Sequence, residues 1–346
     1  MPVCYLHIGA SKCASTSIQR AFQKSREWLA EGGVIYPKSE NARHDFLVTL
    51  HHADPLDLNL HKRSGLGLGA VRAQAEAQRD AFEALIAANP EKDVFLSSEL
   101  LFDEAHNLDL GGLKRYLDGL FDRVIVVALV RDPLDWTNSR AQENVKSGGL
   151  TLEDVAEYLV LPRFEGIEFF RDAFGSEALR VRPMETLGSE ERSLTQAFAA
   201  WLFGDDRIAH RLPDLSINES VPLEGLMIAS EVNRFAGYAL GHAKTASGGE
   251  GVIRGLTAQD FRKIGRTRFR LPAARVAQVL PGLQAQYHYL NGTWGAGYAP
   301  PDLLKFEDPV AVWDQETLAS IGVAMNDLGQ ALLRSRAENL KLRTKD

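Results

Sequence analysis

The sequence predicts an α/β protein in which helices flank a doubly wound, mostly parallel sheet and the C-terminal portion is helical. Strand patterns alternate with helical patterns over residues 3–203, and this alternation is typical of a parallel sheet. Residues 124–130 are seven successive apolar residues, most of them β-branched, as expected for a strand buried on both faces. We expect an α/β core in residues 1–215 and a mainly helical portion in residues 216–346, within one or two domains.

The composition excludes several classes of protein. The 346 residues are 45% hydrophobic and 25% charged, which is ordinary for a globular chain. A net charge of −7 argues against a nucleic-acid-binding surface. The two cysteines, Cys4 and Cys13, are too few for a disulfide framework or a four-cysteine zinc site. The N-terminus lacks a basic segment, and no apolar run approaches the roughly 20 residues of a membrane span. We therefore expect a cytoplasmic protein without a membrane span.

The first predicted strand ends at a loop whose residues suit an anion. Residues 3–8 are apolar and aromatic, Gly9 breaks the strand, and a helix continues through residues 18–30. The loop carries Lys12 and small side chains, and three hydroxyl residues at 15–17 open the helix. Free N–H groups and the positive end of the helix dipole would meet there. A Walker A motif places its Lys directly before the Ser or Thr, and this loop does not. The alternative is a strand-to-helix turn with a solvated Lys.

The next elements lead to a second group of polar residues. Residues 34–37 are a predicted short strand, residues 70–88 and 110–121 are predicted helices, and residues 93–99 are a predicted buried strand. Ligands bind at the carboxyl ends of strands in such sheets, so Glu99 is a candidate functional acid, and a structural acid is the alternative. The four histidines between the second strand and the first of these helices lack the spacing of metal ligands.

The strongest predicted strand also ends in candidate binding residues. Residues 124–130 run directly into Arg131, and Ser139 follows eight residues later, two turns into a predicted helix. A guanidinium at a strand end and a hydroxyl on the following helix can converge on one phosphate. The alternative is a surface ion pair between Arg131 and Asp132.

These two motifs resemble the donor site of sulfotransferases that use 3′-phosphoadenosine 5′-phosphosulfate (PAPS). The pattern G-x-x-K-x-x-[ST]-[ST]-S resembles their 5′-phosphosulfate loop, and the strand followed by R-D-P with a Ser eight residues after the Arg resembles their 3′-phosphate site. The resemblance covers residues 3–150 clearly and residues 178–220 faintly. It implies a set of cofactor-binding residues: Gly9, Lys12, Cys13, Ala14, Ser15, Thr16, Ser17, Arg131 and Ser139.

The resemblance also implies a reaction. The sulfuryl group of the co-substrate PAPS would move in line to a hydroxyl or amine of an acceptor, leaving 3′,5′-adenosine bisphosphate (PAP) as product, without a metal ion. Lys12 would stabilise the leaving phosphate, and Glu99 or His44 would take the proton of the acceptor. A carbohydrate or small metabolite is the expected acceptor, and a bacterial source is expected.

The loop departs from the usual K-T-G-T-T of the family at two positions. Cys13 and Ala14 stand where Thr and Gly are usual. Ala14 has a Cβ that restricts φ, so we expect an ordinary backbone conformation at this position. We expect Cys13 to be a small residue that fits the loop, the alternative being a thiol with a lowered pKa.

The remaining chain carries weaker signals. Residues 152–161, 166–174 and 194–203 are predicted helices, residues 178–183 are a further strand, and residues 218–220 begin the next element. The basic cluster at residues 262–266 is expected to be a solvated face.

The chain ends in a long predicted helix over residues 315–343, with an apolar stripe along it. This stripe would pack either on the core or on a second subunit, so a homodimer stays open.

Two other functions stay open. One is a nucleotide or nucleoside kinase of the P-loop type, although the strand before Arg131 does not end in the acid expected of such an enzyme. The other is a non-catalytic nucleotide-binding protein that keeps the anion loop, which the altered residues 13 and 14 make conceivable.

Overall fold

The computed structural model describes residues 2–62, 64–146, 150–187, 192–204, 206–215, 220–236 and 260–343. The chain forms two compact units. The first comprises Met1–Asp132, Arg163–Asn218 and Gln286–Tyr298, and the second comprises Pro133–Pro162, Glu219–Ala285 and Ala299–Asp346. The division into domains at residue 215 stays a prediction.

The first unit is built on a parallel sheet. The strands among the described residues are β1 (Val3–His7), β2 (Val34–Ile35), β3 (Asp93–Ser97), β4 (Arg123–Val130) and β5 (Leu179–Pro183). Their order across the sheet is β2-β3-β1-β4-β5, and every neighbouring pair is parallel. Because the strands are parallel, their carboxyl ends lie at one edge of the sheet. The predicted α/β class, with a parallel sheet flanked by helices and a helical C-terminal portion, is confirmed.

Helices connect these strands. In the first unit they are α1 (Ser15–Glu31), α2 (Phe46–His51), α3 (Asn59–Lys62), α4 (Leu68–Ala87), α5 (Leu100–Asp103), α6 (Leu110–Asp118), α9 (Gly166–Phe174), α10 (Leu194–Phe203) and α11 (Asp206–Ala209). Helix α9 and helix α10 have the predicted bounds. The short helices α2 and α3 were not predicted, because they lack the length over which an apolar period can be recognised.

The second unit is helical in its described residues. Its helices are α7 (Pro133–Lys146), α8 (Leu152–Glu157), α12 (Leu223–Ala236), the part of α13 (Ala273–Trp294) before Gln286, and α14 (Gln315–Arg343). Helix α14 has the predicted bounds, whereas α8 is shorter than the predicted helix 152–161. Asn218 and Glu219, with which the next element was predicted to begin, lie outside the described residues.

Buried polar side chains join the segments of the second unit. The Gln142 side chain donates to the Val221 carbonyl at 3.0 Å and accepts from the Val221 N–H at 3.2 Å. The fully buried Glu224 carboxylate accepts from the Thr267 hydroxyl and from the Val312 N–H. These bonds compensate the cost of burying an amide and a carboxylate.

No helix within the described ranges is long and apolar enough to cross a membrane.

An aromatic cluster fills the core on one face of the sheet. Phe95 of β3 lies at its centre, with ring centroids 4.5 Å from Phe22, 5.7 Å from Tyr36, 5.9 Å from Phe198 and 6.3 Å from Phe203. Tilted and edge-on pairs at these separations are favourable. The cluster therefore anchors α1 and α10 on the strand that leads to Glu99.

We predict that Phe95→Ala lowers the free energy of unfolding by about 3–5 kcal/mol, because it leaves a cavity in a fully buried cluster. Phe169 is the matched control, since it is 47% exposed and its replacement by Ala should cost less than about 1 kcal/mol. Chemical denaturation followed by circular dichroism measures both. Equal losses in the two variants would contradict this packing.

Candidate functional site

The loop between β1 and α1 has an unusual backbone. Gly9 has a φ of +46°, and Lys12 and Ala14 both have a φ of +63°. The prediction of an ordinary conformation at Ala14 is therefore wrong. Left-handed conformations cost a non-glycine residue about 1–3 kcal/mol and persist only where surrounding contacts impose them.

Hydrogen bonds hold this loop. Nη1 of Arg131 donates to the Lys12 carbonyl at 3.1 Å, and the Cys13 N–H donates to the Ala10 carbonyl at 3.2 Å. The Ser15 hydroxyl turns inward and donates to the same Ala10 carbonyl at 3.3 Å. The strand end at Arg131 therefore fixes the conformation of a loop that lies far from it in sequence.

A side chain at Gly9 would be strained and would displace the Ser15 hydroxyl. A Cβ at this residue would lie 2.8 Å from Oγ of Ser15, closer than real Cβ contacts allow. The glycine is therefore needed both for its positive φ and for the close approach of the helix.

The start of α1 has N–H groups that no side chain caps. Ala14 is the N-cap residue and provides no side-chain hydrogen bond, and the first turn contains no acidic residue. Successive N–H groups in a loop that includes left-handed residues form a concave anion site, and the helix dipole adds to it. Thr16 and Ser17 are half-buried in this first turn. The arrangement suits a phosphate or sulfate group.

Cys13 is a buried structural residue. Its side chain is fully buried, and burial raises the pKa of the thiol far above its ordinary value. The thiol therefore stays protonated, and Cys13 fills the loop as a small buried residue; its place among the cofactor-binding residues stays a prediction.

A buried polar layer that the sequence did not reveal lies beneath the loop. Nδ1 of His7 is 2.8 Å from Oγ of Ser97, and Nε2 of Gln19 donates to the same Oγ at 3.0 Å. Burial lowers the pKa of His7 to about 3, so the imidazole is neutral. This layer joins β1, β3 and α1 under the anion loop.

His44 is bonded at both ring nitrogens. Nε2 donates to the Pro37 carbonyl at 3.0 Å, while Nδ1 accepts from the Ser97 N–H at 3.0 Å. The residue is 2% exposed, and burial lowers the pKa of its imidazole to about 4. A proton on Nδ1 would face an N–H donor, so His44 is not placed to accept one from an acceptor. Both ring nitrogens of His44 are thus engaged within the protein, and the role of His44 as the base stays a prediction.

Glu99 lies at the carboxyl end of the sheet, the edge at which ligands bind in parallel α/β sheets. It lies two residues after the end of β3 at Ser97, its side chain is 29% exposed, and its Oε1 is 3.8 Å from Nη1 of Arg43. Thr16 of the anion loop helix and Glu99 line the same cleft. Of the two candidate bases, this geometry favours Glu99.

A tyrosine network covers the end of β4. The Tyr298 hydroxyl donates to Glu185 at 2.5 Å, and the Tyr287 hydroxyl donates to Asp132 at 2.9 Å. The Asp132 N–H donates to Glu185 at 3.1 Å. Burial, followed by the neighbouring Glu185, raises the pKa of Tyr298, so it remains a donor. Neither tyrosine was predicted from the sequence, because both come from the C-terminal part of the chain.

The other predicted phosphate residue belongs to the second unit. Ser139 is half-buried in α7, which begins at Pro133. Its pairing with Arg131 on one phosphate stays a prediction. In the ranges that the structure describes, no group of three or more His, Cys, Asp or Glu side chains is arranged to hold a metal ion.

Comparisons with known proteins find a distant likeness among solved structures. No protein-family model and no curated protein matches the chain. Among solved structures, it is similar to the sulfotransferase domain of the olefin synthase from Synechococcus PCC 7002, at 12% identity and a TM-score of 0.33. The match covers 68% of this chain and 94% of that domain. A match this distant does not show a family.

We predict that Ala14→Gly raises the free energy of unfolding by about 0.5–1 kcal/mol, because glycine removes the left-handed strain at a small cost in chain entropy. Ala30→Gly, within the helix α1 that follows Ala14, is the control and should lower the free energy of unfolding by a similar amount. Thermal and urea unfolding measure both. A loss of stability in Ala14→Gly as large as that of Ala30→Gly would refute the left-handed assignment.

We predict a pH dependence that originates at His44. Its pKa is about 4 in the folded chain, below the ordinary 6.5, so the unfolded chain binds the proton more tightly. The contribution of neutral His44 to stability is complete above the ordinary pKa of histidine, and it decreases as the pH drops towards the pKa of His44 in the folded chain.

Between about pH 7 and about pH 5, the free energy of unfolding should therefore fall by about 2 kcal/mol less in the His44→Gln variant than in the wild type. The exposed His106, replaced by Gln, should leave the wild-type dependence unchanged. Urea unfolding across this range measures the difference, and parallel curves for all three proteins would exclude a buried neutral His44.

Proposed function

We propose that this protein is a sulfotransferase that moves the sulfuryl group of PAPS to a hydroxyl of an acceptor and releases PAP. One observation carries the proposal: an uncapped helix start follows a loop in which two non-glycine residues, Lys12 and Ala14, are held left-handed. Strained backbone of this kind concentrates at ligand-binding sites, and N–H groups so arranged suit the 5′-phosphate of such a donor.

Lys12 and the helix start would neutralise the charge of the leaving group. In the reaction, an acceptor oxygen attacks sulfur, and the bond from sulfur to the phosphate oxygen breaks. Negative charge grows on that phosphate oxygen. The ammonium of Lys12, the N–H groups of residues 13–17 and the hydroxyls of Thr16 and Ser17 would stabilise it, and such fixed donors are usually the largest contribution to catalysis.

Arg131 would contribute to the binding of PAPS in two ways. One of its guanidinium nitrogens fixes the Lys12 carbonyl, and a guanidinium has further N–H groups with which to bind the 3′-phosphate. Recognition of that phosphate would distinguish PAPS from ATP. Ser139 is the proposed second ligand.

Glu99 would take the proton. The acceptor hydroxyl loses its proton to the Glu99 carboxylate as its oxygen bonds to sulfur. The position of Glu99 in a cleft that also includes Thr16 supports this role. The polar cleft suits a small hydroxylated acceptor.

We predict that Glu99→Gln lowers kcat for PAP formation by about 10²- to 10⁴-fold, the usual contribution of a general base, and leaves PAP affinity unchanged. Glu91→Gln is the control, since Glu91 is exposed before the amino end of the same strand. Radiolabelled PAPS with a panel of hydroxyl acceptors provides the assay. Full activity in Glu99→Gln would remove this residue from the mechanism.

We predict that Lys12→Ala lowers the same kcat by about 10²- to 10³-fold, because it removes a charge from the leaving group. Transfer to the same acceptor panel is measured for the wild type and for Lys12→Ala, first with PAPS and then with Mg-ATP as the donor. Transfer from Mg-ATP that Lys12→Ala abolishes, without transfer from PAPS, would favour a kinase. Binding of PAP without any transfer would favour a non-catalytic binding protein.

A further inference from the structure

A polar cleft lies beside the anion loop. It has a volume of about 530 Å³, within the range of small-molecule sites. Its lining residues come from α1, from the segment after β2 and from the end of β3. They include Thr16, Arg20, Lys24, Glu40, Arg43 and Glu99.

The wall opposite α1 is fixed before any ligand binds. Ala42 has a φ of +55°, and its carbonyl accepts from the Tyr36 hydroxyl at 2.5 Å. Two residues later the His44 N–H donates to the Ser97 carbonyl at 2.9 Å, and the Ser98 hydroxyl donates to Asp45 at 2.6 Å. A strained residue held by buried bonds is a feature of ligand-binding walls.

The cations of the cleft differ in their partners. Arg43 lies 3.0 Å from Asp45 and 3.8 Å from Glu99, so its charge is balanced within the protein. Arg20 and Lys24 are exposed, one turn apart on α1, and neither has a carboxylate within 4.0 Å in the part of the chain that the structure describes. Glu40, also exposed, is the acid on the opposite wall.

We propose that the acceptor carries an anionic group, a carboxylate, sulfate or phosphate, in addition to its reactive hydroxyl. Arg20 and Lys24 bind the anionic group by charge-assisted hydrogen bonds, while the hydroxyl faces Glu99. The positive end of α1 near Thr16 adds to the attraction. The negative charge of Glu40 repels anions and therefore reduces the preference of the cleft for anionic ligands. The assignment of the hydroxyl rests on the proposed function, whereas the preference for anions rests on the charges of the cleft alone.

The test compares probes that differ only in charge. The pairs are p-nitrophenyl glucuronide and glucoside, glucose 6-phosphate and glucose, and 4-hydroxyphenylacetate and its amide. Saturation-transfer NMR on the full chain, with and without PAP, gives their relative affinities. Two partly exposed ion pairs should make the anionic member bind roughly five- to tenfold more tightly, and high salt should reduce this ratio.

Three variants locate the preference. Arg20→Gln with Lys24→Gln should reduce the ratio to about one, and Glu40→Gln should increase it. The control is Arg26→Gln with Lys62→Gln, which removes the same charge from residues paired elsewhere, with Glu27 and Asp57, and should keep the wild-type ratio.

Equal affinity within every pair, no binding of any anionic probe, or an equal loss in the control would overturn the proposal. Calorimetric titration of the same samples with PAP separates this failure from that of the proposed function. If PAP binds and the anion preference is absent, only the acceptor assignment is wrong. If PAP does not bind, the proposed function is wrong, and the NMR ratios still decide whether the cleft prefers anions.

Discussion

The parallel pairing of β1 between β3 and β4 is the constraint on which the candidate site depends. The Ser98 N–H donates to the His7 carbonyl at 3.1 Å, and the Ile8 N–H donates to the Val127 carbonyl at 3.0 Å. These bonds extend the ladders to the carboxyl ends of the strands. Three chain segments distant in sequence therefore end at one edge of the sheet: the anion loop, the turn with Glu99 and the turn with Arg131. A slip of the register would separate them.

Strain in the anion loop is the second feature of the site. The two left-handed residues cost about 1–3 kcal/mol each, which is a considerable part of the stability of an ordinary domain. The Arg131 side chain holds Lys12 by a hydrogen bond to the Lys12 carbonyl. Cys13, which lies between the two left-handed residues, is held by a hydrogen bond from its N–H to the Ala10 carbonyl. The loop is thus shaped before a ligand binds, which reduces the ordering cost of binding.

Burial separates the structural histidines from the charged residues of the site. His7 and His44 lie beneath the loop and its neighbouring wall as neutral rings. Charged groups that could meet a ligand, such as Arg20 and Glu99, are at least partly exposed. A neutral, rigid layer under charged groups keeps them in place without opposing their charge.

The sequence predicted the long elements because their patterns are local. The apolar run that became β4 and the amphipathic period of α10 are visible without tertiary contacts. The left-handed Ala14 was missed because Arg131, a tertiary contact, helps to impose it. The sequence made His44 a candidate base. Its hydrogen bonds to the Pro37 carbonyl and the Ser97 N–H form only in the folded chain, so the sequence could not show them. Tyr298 was missed for the same reason.

The most direct test of the account is calorimetric titration of the full chain with PAP, with AMP and ATP as controls, on the wild type and on Arg131→Ala. The account predicts micromolar binding of PAP, at least tenfold weaker binding of AMP, and loss of this difference in the variant, since a charged contact to the 3′-phosphate contributes about 1.5–3 kcal/mol. Equal affinity for PAP and AMP in the wild type would contradict the assignment of a PAPS site.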